Sequence, residues 1–141
     1  MIEITLAGAP MGKQRVRVVK STGRVYTPER TVSYEASLAY AGQCAMVGRP
    51  LFDQALSVTV LAYIAIPESK PKKWKADALA GLIRPTKKPD ADNIAKMIDA
   101  LNLIVWIDDA QIVDLRSRKF YSDKPRLVVQ VEAAQNEGIF A

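Results

Sequence analysis

The alternation across residues 56–66 constrains the fold more than any other part of the chain. Leu56, Val58, Val60, Ala62, Ile64 and Ile66 fall on one face of an extended segment, and Pro67 ends it. A half-buried strand of this kind needs partners and a layer to cover it. Ile2, Ile4 and Leu6 alternate with polar neighbours and read as a first strand, and residues 127–131 read as a last one. Helix signals lie between. Thr27 fits an N-cap and Pro28 the first helical position of a helix through an alanine-rich stretch to about Val47, with Gly48 as its stop. A basic helix is expected from near Pro71 through Ala80, then a loop over 84–89. Ile94, Met97, Ile98 and Leu101 recur at i, i+3, i+4 and i+7, which predicts a helix over 93–101. Gly8 to Arg24 reads as a basic loop or exposed hairpin with Val25-Tyr26 as its second arm, and Asp108-Asp109 as a turn before Ile112-Val113. These elements predict an α+β fold: one small domain over 1–141, a mixed β-sheet covered by helices, with 133–141 a flexible or partner-packed tail.

Absences narrow the chemistry. The chain contains no histidine, which excludes a Ser-His-Asp triad, a histidine base, an HNH-type nuclease and histidine-ligated zinc. Its one cysteine, Cys44, cannot form an internal disulfide and reads as a buried helix residue. No apolar run approaches the roughly 18–20 residues that cross a bilayer, and residues 1–5 lack the pattern of a secretory signal. A cytoplasmic protein without membrane contact is the expectation. Catalysis, if present, falls to carboxylates, lysines, arginines or hydroxyls.

The formal net charge is +5, and its distribution carries more than its size. No acid lies between Glu3 and Glu29, where Lys13, Arg15, Arg17, Lys20 and Arg24 all fall. A second cluster holds Lys70, Lys72, Lys73, Lys75, Arg84, Lys87 and Lys88, and a third Arg116, Arg118 and Lys119. Any one of them reads equally well as solvated surface. Together they bracket a single acidic motif, as a phosphate-binding surface would. Lys13, Arg15, Arg17, Lys88, Arg116 and Lys119 are the expected DNA contacts.

That motif is Lys88-Pro89-Asp90-Ala91-Asp92-Asn93-Ile94-Ala95-Lys96. Asp90 and Asp92 are two apart in an extended segment and can converge, Asp92 suits the N-cap of the next helix, and Lys96 lies one turn on. A lysine there opposes the helix dipole, so nearby acids or a phosphate give it its reason. One aspartate alone would read as a cap or a loop acid. Two of them, with the further pair Asp108-Asp109, ask for a cation between them, and Mg²⁺ suits such oxygen donors. Carboxylates and a lysine beside basic surfaces point to phosphodiester hydrolysis.

At residues 88–96, followed by Asp99-Ala100-Leu101-Asn102 and Trp106-Ile107-Asp108-Asp109-Ala110-Gln111-Ile112-Val113, the sequence resembles the RusA family of Holliday junction resolvases. Pro10-Met11-Gly12-Lys13-Gln14-Arg15 and Tyr26-Thr27-Pro28 resemble the family's basic N-terminal region, and the likeness runs over about residues 2–132. It implies that Asp90, Asp92 and Asp109 hold Mg²⁺ (with Mn²⁺ as a substitute), that Lys96 is the essential lysine, and that a homodimer nicks opposing strands of a four-way junction. There are two departures. The segment from Lys96 to Asp99 is one residue shorter than the family's usual spacing, and Leu103 stands where a glycine is common. Asp108 reads as a turn acid. Trp106 reads as packing, Trp74 as packing or a DNA contact, and Tyr121 carries no signal. Alternative functions are a nuclease preferring forks and flaps, or a non-catalytic architectural or packaging DNA binder. An RNA module would call for an aromatic platform that the sequence does not display.

Overall fold

A computed structural model describes residues 1–136 and Gly138. The elements run in the order β1 (Ile2–Ala7), β2 (Arg17–Val18), β3 (Val25–Tyr26), α1 (Glu29–Ala45), β4 (Leu56–Ala65), α2 (Lys72–Leu79), α3 (Ala91–Ala95), β5 (Ile112–Ser122) and β6 (Arg126–Ala133). Two short 3-10 segments, Lys96–Leu101 and Asp109–Gln111, follow α3. The fold is α+β. β1, β6, β4 and β5 form a mixed sheet in that order, antiparallel except where β4 meets β5, and β2 with β3 makes the separate hairpin.

The alternation that marks β4 holds from Leu56 to Ala62, while Ile64 is half-buried and Ile66 falls just past the strand's end at Ala65. Leu56, Val58, Val60 and Ala62 are buried, and they pack with Ile2, Ile4, Leu127, Val129 and Val131 from the flanking strands. Leu38 of α1 and Ile94, Met97, Ile98 and Leu101 cover this face. β5 is far longer than its Ile112-Val113 start implied and takes in all of the third basic cluster. As an edge strand it carries charged residues on its solvent sides, so apolar alternation does not announce it.

Helix limits shift for identifiable reasons. α1 begins at Glu29 with Pro28 as the residue before it, and no side chain caps it, so Thr27 is not the cap. The Pro28 carbonyl accepts the Val32 N–H at 3.2 Å. Cys44 is exposed, not buried. α1 buries Thr31, Leu38 and Gly42, and a residue two places beyond Gly42 lies about 200° around the helix from it. Gly42 is where α1 crosses the 3-10 segment: a Cβ there would stand 2.7 Å from Leu101 Cδ2.

The single helix predicted over 93–101 is instead a five-residue α-helix running into the 3-10 turn of Lys96–Leu101. A 3-10 helix rises about 2.0 Å per residue against 1.5 Å for an α-helix, so the second half of the segment is stretched relative to the helix expected there. The segment then turns through Leu103, at φ 65, whose N–H donates to the Trp106 carbonyl at 2.8 Å. Trp106 is fully buried, as packing requires. At the other end of the chain β6 reaches Ala133, and the Ala134 N–H donates to the Ala55 carbonyl at 2.9 Å. Of the expected tail, Glu137, Ile139, Phe140 and Ala141 lie outside the described residues. Among those described, no helix is long and apolar enough to cross a membrane.

The left-handed backbone at Leu103 explains why glycine suits this position, since a Cβ there costs about 1–2 kcal/mol. Leu103 is 66% exposed and surrenders little packing if removed. Leu103→Gly is expected to stabilise the fold by about 0.5–1 kcal/mol once the looser unfolded chain is counted. Urea midpoints of the two proteins check this, and a destabilised variant would contradict it.

A candidate active-site groove

The groove is assembled between two segments far apart in sequence. One wall is the crossover that carries the chain from β4 to β5. Its helix α3 is pinned to the sheet by Ser117 Oγ, which donates to the Ala91 carbonyl at 2.7 Å. The other wall is the basic stretch after β1. The Lys13 N–H donates to the Asn93 carbonyl at 2.9 Å. The Gln14 N–H donates to Thr31 Oγ1 at 3.3 Å, and that hydroxyl donates back to Gln14 Oε1 at 3.1 Å. Thr31 is fully buried, so this exchange satisfies a polar group that would otherwise be costly. Gly12 permits the close approach, because a Cβ there would meet Asn93 Cβ at 3.0 Å and Pro89 Cβ at 3.2 Å. The result is an open groove of about 1020 Å³, with Lys13, Arg15, Arg17 and Arg30 facing Lys88, Asp90, Asp92 and Lys96.

Asp90, not Asp92, stands at the helix start. Its carbonyl takes the Ile94 N–H at 3.0 Å, which begins α3 two residues earlier than expected and puts Asp92 in the first turn. Neither side chain caps the helix, and among the described residues neither makes a hydrogen bond or ion pair. Both are exposed. Lys96 sits one turn on, also exposed, with only a long 3.4 Å bond from Nζ to Asn93 Oδ1.

Asp108 and Asp109 divide their work. Asp108 Oδ1 accepts the Ala110 N–H at 2.9 Å, while the Asp108 N–H donates to Gln111 Oε1 at 2.8 Å, a reciprocal cap. Gln111 Nε2 anchors the turn on the Phe52 and Gln54 carbonyls. The turn-acid reading of Asp108 therefore has a structural basis, and Asp109 is left outside the cap. The Ala110 N–H, with Asp109 next, holds the Asp108 carboxyl below its ordinary range. Sharing a hydrogen bond with Asp108, and then the negative charges of Asp108 and Asp99, push Asp109 up.

Asp109 does not line the groove. Asp99, whose charge bears on Asp109, has its Oδ2 3.3 Å from Lys13 Nζ, and Lys13 is also 3.9 Å from Glu35. Glu35, Arg30 and the Gln14–Thr31 exchange were not singled out by the sequence. Glu35 stands four residues from Thr31 on α1, a spacing that becomes informative only once Thr31 is known to face the strap. Among the described residues no three Asp, Glu, Cys or His side chains converge closely enough to enclose a metal ion. The donors on hand are carboxylate oxygens in pairs, a set suited to a hard cation that keeps water or phosphate in its shell.

The remaining basic residues separate. Lys119 Nζ donates to the Lys87 carbonyl at 2.6 Å, while its own carbonyl accepts Arg84 Nε at 3.0 Å, so Lys119 clamps the loop that leads to Asp90. Arg116 does not reach the groove. It pairs with Thr59 in the parallel register, and alternation turns it and Arg118 to the sheet face opposite Ser117 and Lys119. On that face Arg118 and Arg84 lie 4.8 and 4.2 Å from the Phe120 ring, and Phe120 stacks on Tyr63 at 6.0 Å. Trp74 is half-buried edge-on against Tyr121 at 5.3 Å, which favours packing.

The family model described as Endodeoxyribonuclease RusA matches residues 7–132. The chain is also 37% identical over 135 residues to a Bacillus subtilis (strain 168) protein described as uncharacterized protein YqaN, across 92% of this chain and 94% of that one.

The clamp by Lys119 yields a prediction independent of any reaction. Lys119→Met should cost about 1 kcal/mol of global stability or less, while residues 84–90 exchange their amide hydrogens measurably faster. Unchanged exchange in that loop would remove the clamp from the account.

Proposed function

The chain belongs to the RusA endodeoxyribonuclease family, and on that premise we propose that it is a Mg²⁺-dependent nuclease resolving four-way DNA junctions by paired nicks. The observation that carries this reading is the groove in which Asp90 and Asp92, both uncommitted, stand opposite Lys13, Arg15 and Arg17. A protein that only bound DNA would gain nothing from placing free carboxylates among cations that meet phosphates. Among the described residues neither carboxylate makes a hydrogen bond or an ion pair.

In this reading Asp90 and Asp92 hold the ion, with Asp109 contributing from beyond the groove through the acidic run that Asp99 continues. Mg²⁺ accepts one or two carboxylates and completes its shell with water and phosphate oxygen, and Mn²⁺ takes the same donors. Such an ion supplies positive charge at the scissile phosphate and makes water more acidic. The chain's own groups do the rest. Lys13, Arg15, Arg17 and Lys88 take up backbone phosphates along the groove and set the register of the strand. Lys96 brings its ammonium to the phosphate from the helix wall and opposes the charge that builds there. Its weak hold on Asn93 leaves it free to do so. Two nicks on opposing strands need two such sites, and we therefore infer a homodimer.

The test is cleavage of a labelled four-way junction, a fork and a linear duplex with and without Mg²⁺. Paired nicks on the junction, lost on chelation, are expected. Asp90→Asn and Lys96→Met should each cut on the order of 100-fold more slowly or worse while still binding the junction. Removing Lys13 or Arg15 should instead weaken binding to every DNA and lower its salt dependence by about one ion each. Preferential cutting of forks would reassign the substrate. Tight binding without cleavage, indifferent to Asp90→Asn, would leave an architectural DNA binder.

A further inference from the structure

Among the described residues β5 forms an open edge of the sheet, paired with β4 on one side only. Residues 113–116 are all exposed, Val113 at 60% and Leu115 at 52%. An edge strand with exposed apolar side chains is a template for another strand, and proteins usually blunt such edges with lysine, proline or a bulge. Residues 114–118 contain no lysine or proline, and the register irregularity of this edge lies just before them, at Val113. Farther along, the edge is covered, because Arg84 Nε takes the Lys119 carbonyl. That bond also reports which backbone groups look outward. The Lys119 carbonyl faces the edge, so by alternation along the regular register Ser117 and Leu115 turn their N–H and C=O outward too. A right-handed crossover from β4 to β5, with its helices on the Ser117 side, requires the same.

We propose that this stretch of β5 pairs antiparallel with the same stretch of a second copy, about a two-fold axis at Leu115. Charge selects both the occupant and the register. Outward-facing residues must meet outward-facing residues, which allows only alternate registers. An axis at Asp114 sets Asp114 against its own copy, and an axis at Arg116 sets Arg116 against its own. An axis at Leu115 places Asp114 opposite the partner's Arg116, twice, in the closely spaced non-hydrogen-bonded positions. It also brings the two Leu115 side chains together. Arg116, which the fold turns away from the groove, thereby acquires a partner. The axis is perpendicular to the sheet, so both helix layers and both grooves lie on one face of a continuous sheet. The pairing rests on the two-nick reading for its purpose, while its register stands on the residues of β5.

Sedimentation of the full chain from about 1 to 100 µM tests it. The wild type should dimerise, and Arg116→Asp should weaken the dimer roughly tenfold or more by setting acid against acid twice. Combining Asp114→Arg with Arg116→Asp should restore it. With Cys44→Ser to remove the exposed thiol, Leu115→Cys should form a disulfide-linked dimer, since hydrogen-bonded antiparallel partners have Cα atoms about 5.5 Å apart, within disulfide range. A monomer throughout, without the cross-link, overturns the proposal. So does a dimer indifferent to Arg116→Asp, which would put the second copy elsewhere and leave the two-nick reading standing. A β5-linked dimer that cuts no DNA would support the interface and count against the nuclease reading alone.

Discussion

Everything in the groove depends on β4 and β5 running parallel. Adjacent parallel strands cannot be joined by a tight turn, so the chain must leave the sheet, cross over one face and return. The connecting residues here bring α2, α3 and the 3-10 turn onto the face that β4 already needs to cover. Ile94, Met97, Ile98 and Leu101 satisfy that demand, and the opposite side of the same helical segment is then presented to solvent with Asp92, Lys96 and Asp99. Burial of one side therefore positions the chemistry of the other. Core packing and the proposed catalytic geometry are two faces of one amphipathic segment.

The second wall is held by a few directional bonds. Hydrogen bonds to Thr31 and Asn93 fix the Lys13–Gln14 backbone, and the close seat of Gly12 on Pro89 and Asn93 leaves little room for error. The ion pairs nearby matter less to stability. Lys13 with Asp99 and Glu35 is partly open to water, where such pairs contribute at most about 1 kcal/mol. Their weakness suits the proposed role of the groove, in which internal partners are exchanged for phosphates.

How legible this was from sequence depended on whether a signal was local. β4, the buried side of the 94–101 segment and the cluster of Asp90, Asp92 and Lys96 stand out because each is a short-range pattern of spacing or type. The length of β5 does not, because exposed edge residues erase the apolar rhythm. Arg116 and Lys119 look alike in a basic run, and only the parallel register separates them to opposite faces. Cys44 depends on which stripe of α1 is inward, and alanine-rich helices write that stripe faintly. The meeting of Lys13 with Asp99 and Glu35 joins three distant segments, and no window along the chain contains it. The shortened spacing and the missing glycine, by contrast, were visible as departures, and they fall on the 3-10 turn and the left-handed Leu103.

β1 pairs only with β6, Ile2 against Val131 and Ala7 against Arg126. During synthesis that strand can pack on α1 but has no strand to pair with until more than a hundred further residues have been added. The basic strap leaves directly from its end, so it too lacks a fixed origin until then. Contacts this distant in sequence form late and slow the folding of a domain. A half-made chain thus lacks the pairing that anchors the origin of the basic stretch, and the proposed groove has its full scaffold once β6 closes the sheet. For a member of an endodeoxyribonuclease family, that order of events delays the completed scaffold of the proposed cutting groove until the last strand has been made.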